Sequence, residues 1–155
     1  MDALSNGDVA LVSDAGTPVI SDPGSELIAS AINNNIPVLS VPGPSAVTSA
    51  LALSGMPGNR FTFIGFLPRK TIHKDRLLDH LKKSPDTIVM FEAPHRIIST
   101  LEYLRESLGD RDVAVLREMT KLYEENFHGK ISEAMDHFIN PRGEFTIVIK
   151  GELKD

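Results

Sequence analysis

The sequence predicts a mixed α/β fold in two parts. Short apolar runs rich in β-branched residues alternate with longer segments whose apolar residues recur at helical spacing. A turn-forming Pro-Gly-Asn sequence within residues 56–60 interrupts this alternation. We therefore expect an amino-terminal α/β domain over residues 1–56, carrying ligand-binding loops, and a carboxy-terminal α/β domain over residues 57–155.

Six apolar runs have the length and composition of strands. They are residues 9–12, 37–41, 61–66, 87–91, 113–117 and 145–150. Only the first two precede the turn at residues 56–60, which is few for a self-sufficient parallel sheet. The first domain is therefore expected to be incomplete.

Four segments predict helices. Residues 72–83 form one, and residues 45–53 form a small, apolar one that Gly55 would stop. The other two are predicted from apolar residues that share one helical face, which are Leu27, Ile28, Ala31 and Ile32 in one and Ile97, Ile98, Leu101, Leu104 and Leu108 in the other.

The composition excludes several classes of protein. The 155 residues include no cysteine, which removes disulfides, thiolate nucleophiles and Cys-based metal sites. No stretch approaches the roughly 20 apolar residues that cross a bilayer, and the first residues lack a signal-peptide pattern, so we expect a cytoplasmic protein. A net charge of −5 argues against coating of nucleic acid by bulk electrostatics, although a local basic patch stays open.

Two loops have the composition of ligand-binding loops. Residues 15–24 and residues 41–46 each follow a predicted strand, combine Gly with Pro and lead into a helix. Either one alone could be a plain tight turn. Two of them at successive strand ends favour a ligand site, because small residues let backbone groups approach a ligand. Neither G-x-G-x-x-G nor a P-loop sequence occurs, which disfavours an ordinary dinucleotide or nucleotide-triphosphate site.

The same loops resemble a known superfamily. Ser13-Asp-Ala-Gly-Thr-Pro-Val-Ile-Ser-Asp-Pro-Gly24 and Val41-Pro-Gly-Pro-Ser-Ala-Val47 resemble the tetrapyrrole methylases. Phe63-Ile-Gly-Phe-Leu-Pro-Arg-Lys70, Phe91-Glu-Ala-Pro-His-Arg96, Arg117-Glu-Met-Thr-Lys121 and Gly143-Glu-Phe-Thr146 are similar to segments of the ribosomal RNA small subunit ribose 2′-O-methyltransferase I family. The resemblance extends over nearly the whole chain.

This resemblance implies a two-domain tetrapyrrole-methylase-like fold that binds S-adenosylmethionine and forms a homodimer. The implied activity is methylation of a ribose 2′-hydroxyl of a cytidine in 16S ribosomal RNA of the small subunit, a step of rRNA processing. The implied cofactor-binding residues are Ala15, Gly16, Thr17, Pro18, Ile20, Ser21, Ser45, Ala46, Phe91, Glu92, Ala93, Pro94, Glu144, Phe145 and Thr146.

The sequence departs from the family pattern at its ends. The family's first strand, its Thr-Pro-Ile-Gly-Asn-type loop and the helix after it have no counterpart before Asp8, and the carboxy-terminal extension has none after Asp155. We therefore expect an incomplete first domain and no activity from this chain alone.

Two charged clusters are candidates for the chemistry. A ribose hydroxyl is a weak acid, so a nearby Lys, Glu or His is useful as a base or as an electrostatic partner of the developing alkoxide. Lys70, Glu118 and Lys121 are the candidate catalytic residues, Glu124 and Glu125 lie beside them in sequence, and ordinary surface charge is the rival interpretation. The candidate RNA-binding residues are Arg69, Lys70, Lys74 and Arg76, in a basic run that also contains His73 and that could instead be a solvated helix face.

The histidines give no metal signal. His95 and Arg96 follow Pro94 at a predicted helix start, where a ligand contact and simple packing are equally good explanations. His80, His128 and His137 are scattered, and no H-E-x-x-H spacing occurs. We therefore predict no protein-bound metal.

Two alternatives to the RNA methyltransferase stay open at this point. One is a methylase of corrin or sirohaem precursors, which shares fold and cofactor. The other is a non-catalytic fragment that acts as an interaction module.

Overall fold

Helices and strands alternate along most of the chain in the computed structural model, which describes residues 2–152. The helices are α1 (Ser25–Asn33), α2 (Ala46–Leu53), α3 (Thr71–Leu81), α4 (Ile97–Leu108) and α5 (Ile131–His137), and a short 3₁₀ helix spans Asp2–Ser5. The strands are β1 (Phe61–Phe66), β2 (Thr87–Glu92), β3 (Asp112–Arg117), β4 (Glu125–Lys130) and β5 (Phe145–Ile149). The predicted mixed α/β fold is confirmed.

The chain divides into two compact units, Met1–Ser45 and Ala46–Asp155. In the first unit, α1 begins after Gly24, whose φ of 130° suits a residue without a side chain. The carbonyl of Gly24 accepts a hydrogen bond from the backbone N–H of Ile28 at 3.0 Å, which closes the first turn of the helix. Ala31 is buried on the inner face of this helix.

Two predicted strands in the first unit are wrong. Residues 9–12 and 37–41 are irregular, and their apolar side chains are largely exposed, with Val12 79% and Val41 90% accessible. A β-branched run becomes a strand only when a neighbouring strand pairs with its N–H and C=O groups. No segment within residues 2–152 pairs with either run.

The second unit is built on one five-stranded sheet of order β1-β2-β5-β3-β4. Strands β1 and β2 are parallel, and the other neighbours are antiparallel. A parallel pair needs a crossover, which α3 supplies between β1 and β2. The three central strands are buried on both faces, which explains why their sequences read as continuous apolar runs.

Successive residues of the central strands contribute to two different cores. On one face, Met90 of β2 and Ile147 of β5 pack with apolar residues of α3, α4 and α5. On the other face, Val89 and Val148 pack with Val47, Ala50 and Leu51 of α2. The sheet is therefore covered on both sides, as expected for alternating side chains.

The position of α2 bears on the predicted domain limits. This helix packs on the sheet of the second unit, so the compact units divide between Ser45 and Ala46, eleven residues before the predicted limit of residues 1–56. The helix belongs to the second unit because its apolar side chains are buried against the sheet of that unit. Residues 56–60 then form only the turn from α2 into β1. The domain limits at 56 and 57 stay a prediction.

Sequence reasoning missed β4 and α5. Two cross-strand ion pairs hold β4 against β3, Arg117 with Glu125 at 2.8 Å and Asp112 with Lys130, at opposite ends of the ladder. The strand lies at the edge of the sheet and alternates between half-buried and exposed residues. The helix α5 begins directly after Lys130.

Candidate functional site

The loop of residues 13–24 has an unusual backbone. Positive φ angles occur at Gly16 (75°), Val19 (74°) and Ser21 (60°), and the value at Val19 is strained for a β-branched residue. The hydroxyl of Ser13 donates to the carbonyl oxygens of Ala15 at 3.2 Å and Gly16 at 3.1 Å, which tightens the turn. Strain of this kind concentrates at ligand-binding loops.

The two ligand-binding candidate loops touch inside the first unit. The hydroxyl of Thr17 donates to the carbonyl oxygen of Pro44 at 3.2 Å. A Cβ atom placed on Gly16 would lie 3.8 Å from that same oxygen. The predicted cofactor residues of the first loop therefore lie beside the second loop, and Ser45 follows directly after Pro44. Ala46 starts α2 and belongs to the second unit.

In the second unit, the predicted cofactor residues at the end of β2 have different surroundings. The ring of Phe91 packs edge-on against Phe63 at 5.0 Å and Phe66 at 5.8 Å between ring centroids. Glu92 is only 2% accessible. Ala93 and Pro94 are half-buried in the connection to α4. A cofactor could therefore meet the chain here through backbone and ring, but hardly through the Glu92 carboxylate.

The Glu92 carboxylate holds the start of α4 in place. One oxygen accepts the hydroxyl of Thr100 at 2.7 Å, and the other accepts the backbone N–H of Ala93 at 2.8 Å. Arg96 Nε lies 3.3 Å from the second oxygen. A terminal nitrogen of Arg96 donates to the carbonyl of Leu67 at 2.6 Å, which ties this loop to the turn after β1. Arg96 therefore has a structural contact, one of the two explanations the sequence left open.

Two of the three predicted catalytic residues meet at the ends of β3 and β5. Lys121 Nζ lies 3.0 Å from Oε1 of Glu118 and 2.8 Å from Oε2 of Glu144. The same Glu118 oxygen accepts the backbone N–H of Glu144 at 2.9 Å. We call Glu118, Lys121 and Glu144 the charged triad. Lys70 shares no hydrogen bond or ion pair with it and lies at the start of α3.

Gly143, which sequence reasoning named only as part of a family segment, makes the charged triad possible. Gly143 has a φ of 85°, and a Cβ atom there would lie 2.5 Å from Cγ of Glu118. Glu118 and Thr120 also have positive φ angles, 51° and 67°. The position of Gly143 immediately before Glu144 is the only sequence signal that could have identified this role. Phe145 and Thr146 continue into β5 and are buried.

Hydrogen bonding fixes the charges of the charged triad. The bonds to Glu144 and then Glu118 raise the pKa of Lys121, so its amine stays an ammonium ion at neutral pH. The bond from Lys121, followed by the backbone N–H of Glu144, lowers the pKa of Glu118. Lys121 is thus a poor general base, but a well-placed positive charge.

The predicted RNA-binding residues lie on and just before α3. Arg69, Lys70 and Arg76 are exposed, and none has an ion-pair partner within residues 2–152. Lys74 Nζ lies 4.7 Å from the centroid of the Tyr103 ring. The hydroxyl of Tyr103 donates to Asp75, which raises the pKa of Tyr103 to about 12. These contacts fix α3 against α4, with the cations at its start facing solvent.

Residues 2–152 contain neither a cluster of metal ligands nor a membrane-spanning helix. No three His, Asp or Glu side chains there lie close enough together to hold a metal ion. None of the helices described has the length and apolar character needed to cross a membrane.

Comparison with known proteins places this architecture in a family. Residues 1–135 match the model of the tetrapyrrole (corrin/porphyrin) methylases. The chain is 54% identical over 146 residues to a ribosomal RNA small subunit methyltransferase I of Thermotoga maritima, covering 93% of this chain and 65% of that protein. For the protein of the same name in Bacillus subtilis, the identity is 45% over 149 residues, covering 95% of this chain and 51% of the relative.

Solved structures share the fold. A diphthine synthase superposes with a TM-score of 0.67 at 14% identity, covering 90% of this chain and 59% of that one. A uroporphyrin-III C-methyl transferase of Thermus thermophilus, complexed with S-adenosyl homocysteine, superposes with a TM-score of 0.58 at 18% identity, covering 86% and 62%. The chain thus spans between half and two thirds of the length of these relatives, and it belongs to the tetrapyrrole (corrin/porphyrin) methylase family.

Proposed function

We propose that this chain belongs to an S-adenosylmethionine-dependent methyltransferase that acts on a ribose 2′-hydroxyl of a cytidine in small-subunit (16S) ribosomal RNA. The observation that carries the proposal is the 42–54% identity, over 146–153 residues, to relatives named ribosomal RNA small subunit methyltransferase I. These matches cover 93–97% of this chain. They extend over the charged triad and over both candidate loops of the first unit.

The residues present suit S-adenosylmethionine. The loops of the first unit offer backbone groups and small side chains around Gly16, Thr17 and Pro44, with room for a close approach. At the end of β2, the half-buried Phe91 ring offers an apolar surface. When bound, S-adenosylmethionine supplies a methyl group on a cationic sulfur. The proposed cofactor residues stay those of the sequence prediction, with Glu92 acting through its backbone.

The charged triad is proposed to act on the acceptor hydroxyl. An ammonium ion on Lys121 would stabilise negative charge that develops on the ribose oxygen as its proton passes to solvent water. Glu118 orients that ammonium ion, because its carboxylate binds both Lys121 and the backbone of Glu144. Lys70 is separate from the charged triad and is proposed to act with Arg69, Lys74 and Arg76 in binding RNA phosphate.

The partners and location follow from this function. We propose that the protein binds the small ribosomal subunit, forms a homodimer and works in the cytoplasm. These three statements come from the family resemblance and from the rRNA in the relatives' names.

A chimera tests the proposal independently of chain length. In it, this chain replaces the matching 146-residue segment of the Thermotoga maritima relative. We expect the chimera to transfer label from S-adenosylmethionine to a cytidine 2′-hydroxyl of unmodified small subunits. The intact relative is the positive control.

Two outcomes would contradict the proposal. One is a folded chimera that binds S-adenosylmethionine but leaves small subunits unmodified. The other is a chimera that methylates a tetrapyrrole acceptor, such as uroporphyrinogen III, in preference to RNA.

A further inference from the structure

An open groove of about 860 Å³ lies where the loop after β2 meets the loop before β5. Its lining residues are Pro94, His95, Ile98, Asn140, Pro141 and Arg142. All six belong to the second unit. The volume falls in the range of roughly 300–1,000 Å³ that is typical of small-ligand sites.

The lining combines an apolar floor with positive charge. Pro94, Ile98 and Pro141 supply apolar surface, and the exposed side chains of His95 and Arg142 supply cationic or hydrogen-bonding nitrogen. No carboxylate is among the lining residues. In a chain whose net charge is −5, a groove with only basic ionisable groups favours an anionic ligand.

The polar groups of the groove are available for a ligand. Neither Arg142, His95 nor Asn140 makes a side-chain hydrogen bond or ion pair to any residue within 2–152. The neighbouring Arg96 differs, because its guanidinium is occupied by Glu92 and by the carbonyl of Leu67. A free guanidinium presents paired donors that match the oxygens of a phosphate.

The loop that carries His95 is also joined to the turn before α3. The 2.6 Å hydrogen bond from Arg96 to the Leu67 carbonyl places the turn before α3 beside the loop that carries His95. That turn leads directly to Arg69 and Lys70. Two joined loops of the second unit therefore both carry cations, and binding a phosphodiester backbone with several phosphates requires more than one.

We propose that this groove binds one nucleotide of an RNA strand. Arg142 binds the phosphate, assisted by His95, and the base packs on Ile98 and Pro141 with its edge near the Asn140 amide. The inference rests on the proposed RNA substrate and adds a second contact region beyond the basic run.

The test measures binding of a labelled short single-stranded RNA to the 155-residue chain over a range of salt concentrations. We expect Arg142→Gln to weaken binding about tenfold and to reduce the salt slope by about 1. The matched control is Lys83→Gln, which removes one charge from an exposed lysine after α3 and should change neither quantity. Equal affinity and slope for the two variants would overturn the proposal.

A second measurement separates the groove from the proposed function. Cytidine 5′-monophosphate is titrated into isotope-labelled chain, and the amide signals of Ile98 and Asn140 are followed by NMR. We expect both to shift in wild type and in Lys83→Gln, but not in Arg142→Gln. Absence of these shifts in wild type overturns the groove site. Shifts that persist while the chimera fails to methylate RNA support the groove and refute the proposed function.

Discussion

The ammonium nitrogen of Lys121 lies 2.8 Å from a carboxylate oxygen of Glu144, although the two residues are 23 positions apart in sequence. The contact forms because β5 pairs with β3, which places the residue before β5 next to the loop after β3. Glu118 completes the arrangement from the other side of the ammonium ion at 3.0 Å. Two strand ends thus hold a single positive charge between two carboxylates.

The charged triad predicts a pH dependence of stability at both extremes. The pKa of Glu118 is lowered in the folded state, so its contribution is present above the ordinary carboxylate range and is lost as pH falls below about 4. The pKa of Lys121 is raised, so its contribution is lost only as pH rises beyond about 10.4. The difference in urea midpoint between wild type and Lys121→Met should therefore be largest near neutral pH and shrink at either end. Lys83→Met serves as the control, and a difference that does not change with pH would refute the coupling.

Gly143 should tolerate a methyl group less well than a glycine with similar φ and free space. In Gly143→Ala, the alanine must adopt a φ of 85°. Its Cβ atom would also lie 2.5 Å from Cγ of Glu118, so the Glu118 side chain must move. Gly55→Ala has a φ of 70° and no atom within 4 Å, so it carries only the backbone strain, about 1–2 kcal/mol. We expect the greater loss in free energy of unfolding for Gly143→Ala, measured by urea denaturation. Equal losses would mean that Glu118 moves aside without cost.

Glu92 and Thr100 should be energetically coupled. Thr100→Val leaves a buried carboxylate oxygen without its 2.7 Å donor and should cost about 1–3 kcal/mol. Glu92→Leu removes the partner of Arg96 as well and should cost about 3 kcal/mol. The double variant should lose less than the sum, by about 0.5–3 kcal/mol. Losses that add would show that the carboxylate finds another partner.

The central strands were predictable because burial on both faces requires an unbroken run of apolar residues in the sequence. Ile88, Met90 and Val115 are fully buried within continuous apolar runs. The edge strand β4 has no such apolar run, since Phe127 is its only large apolar residue. Its strand conformation depends on backbone pairing with β3, and the ion pairs of Arg117 with Glu125 and of Asp112 with Lys130 add to that pairing only once β3 is in place.

The candidate site was predictable as a set of residues but not as an arrangement. Glu118 and Lys121 were assigned to catalysis and Glu144 to the cofactor, because sequence order does not reveal that β5 inserts between β2 and β3. The isolation of Lys70 from the charged triad is a consequence of the same strand order. The predictions of strands at residues 9–12 and 37–41 were wrong for another reason. Both runs have the composition of strands, but no segment within residues 2–152 pairs with them.

The basic run before and within α3 should contribute to RNA binding through charge. Arg69 and Lys70 are exposed, make no ion pairs within the described residues and precede the first turn of the helix, so they present two positive charges to solvent. Replacing both by Gln should weaken binding of single-stranded RNA and reduce its salt slope by about 2, since each neutralised phosphate contributes about 1. Affinity of the chimera for S-adenosylmethionine should not change.

The same helix supplies a matched control. Lys82 and Lys83 are exposed at its far end, and replacing both by Gln makes the same change in net charge. If the effect were one of bulk electrostatics, removing two positive charges at either end of the helix would weaken RNA binding equally. A local contact instead predicts weaker binding only when the pair at the start of α3 is replaced. Anisotropy titrations of wild type and both double variants at several salt concentrations decide between them. Identical slopes for the two double variants would make the run an ordinary solvated helix face.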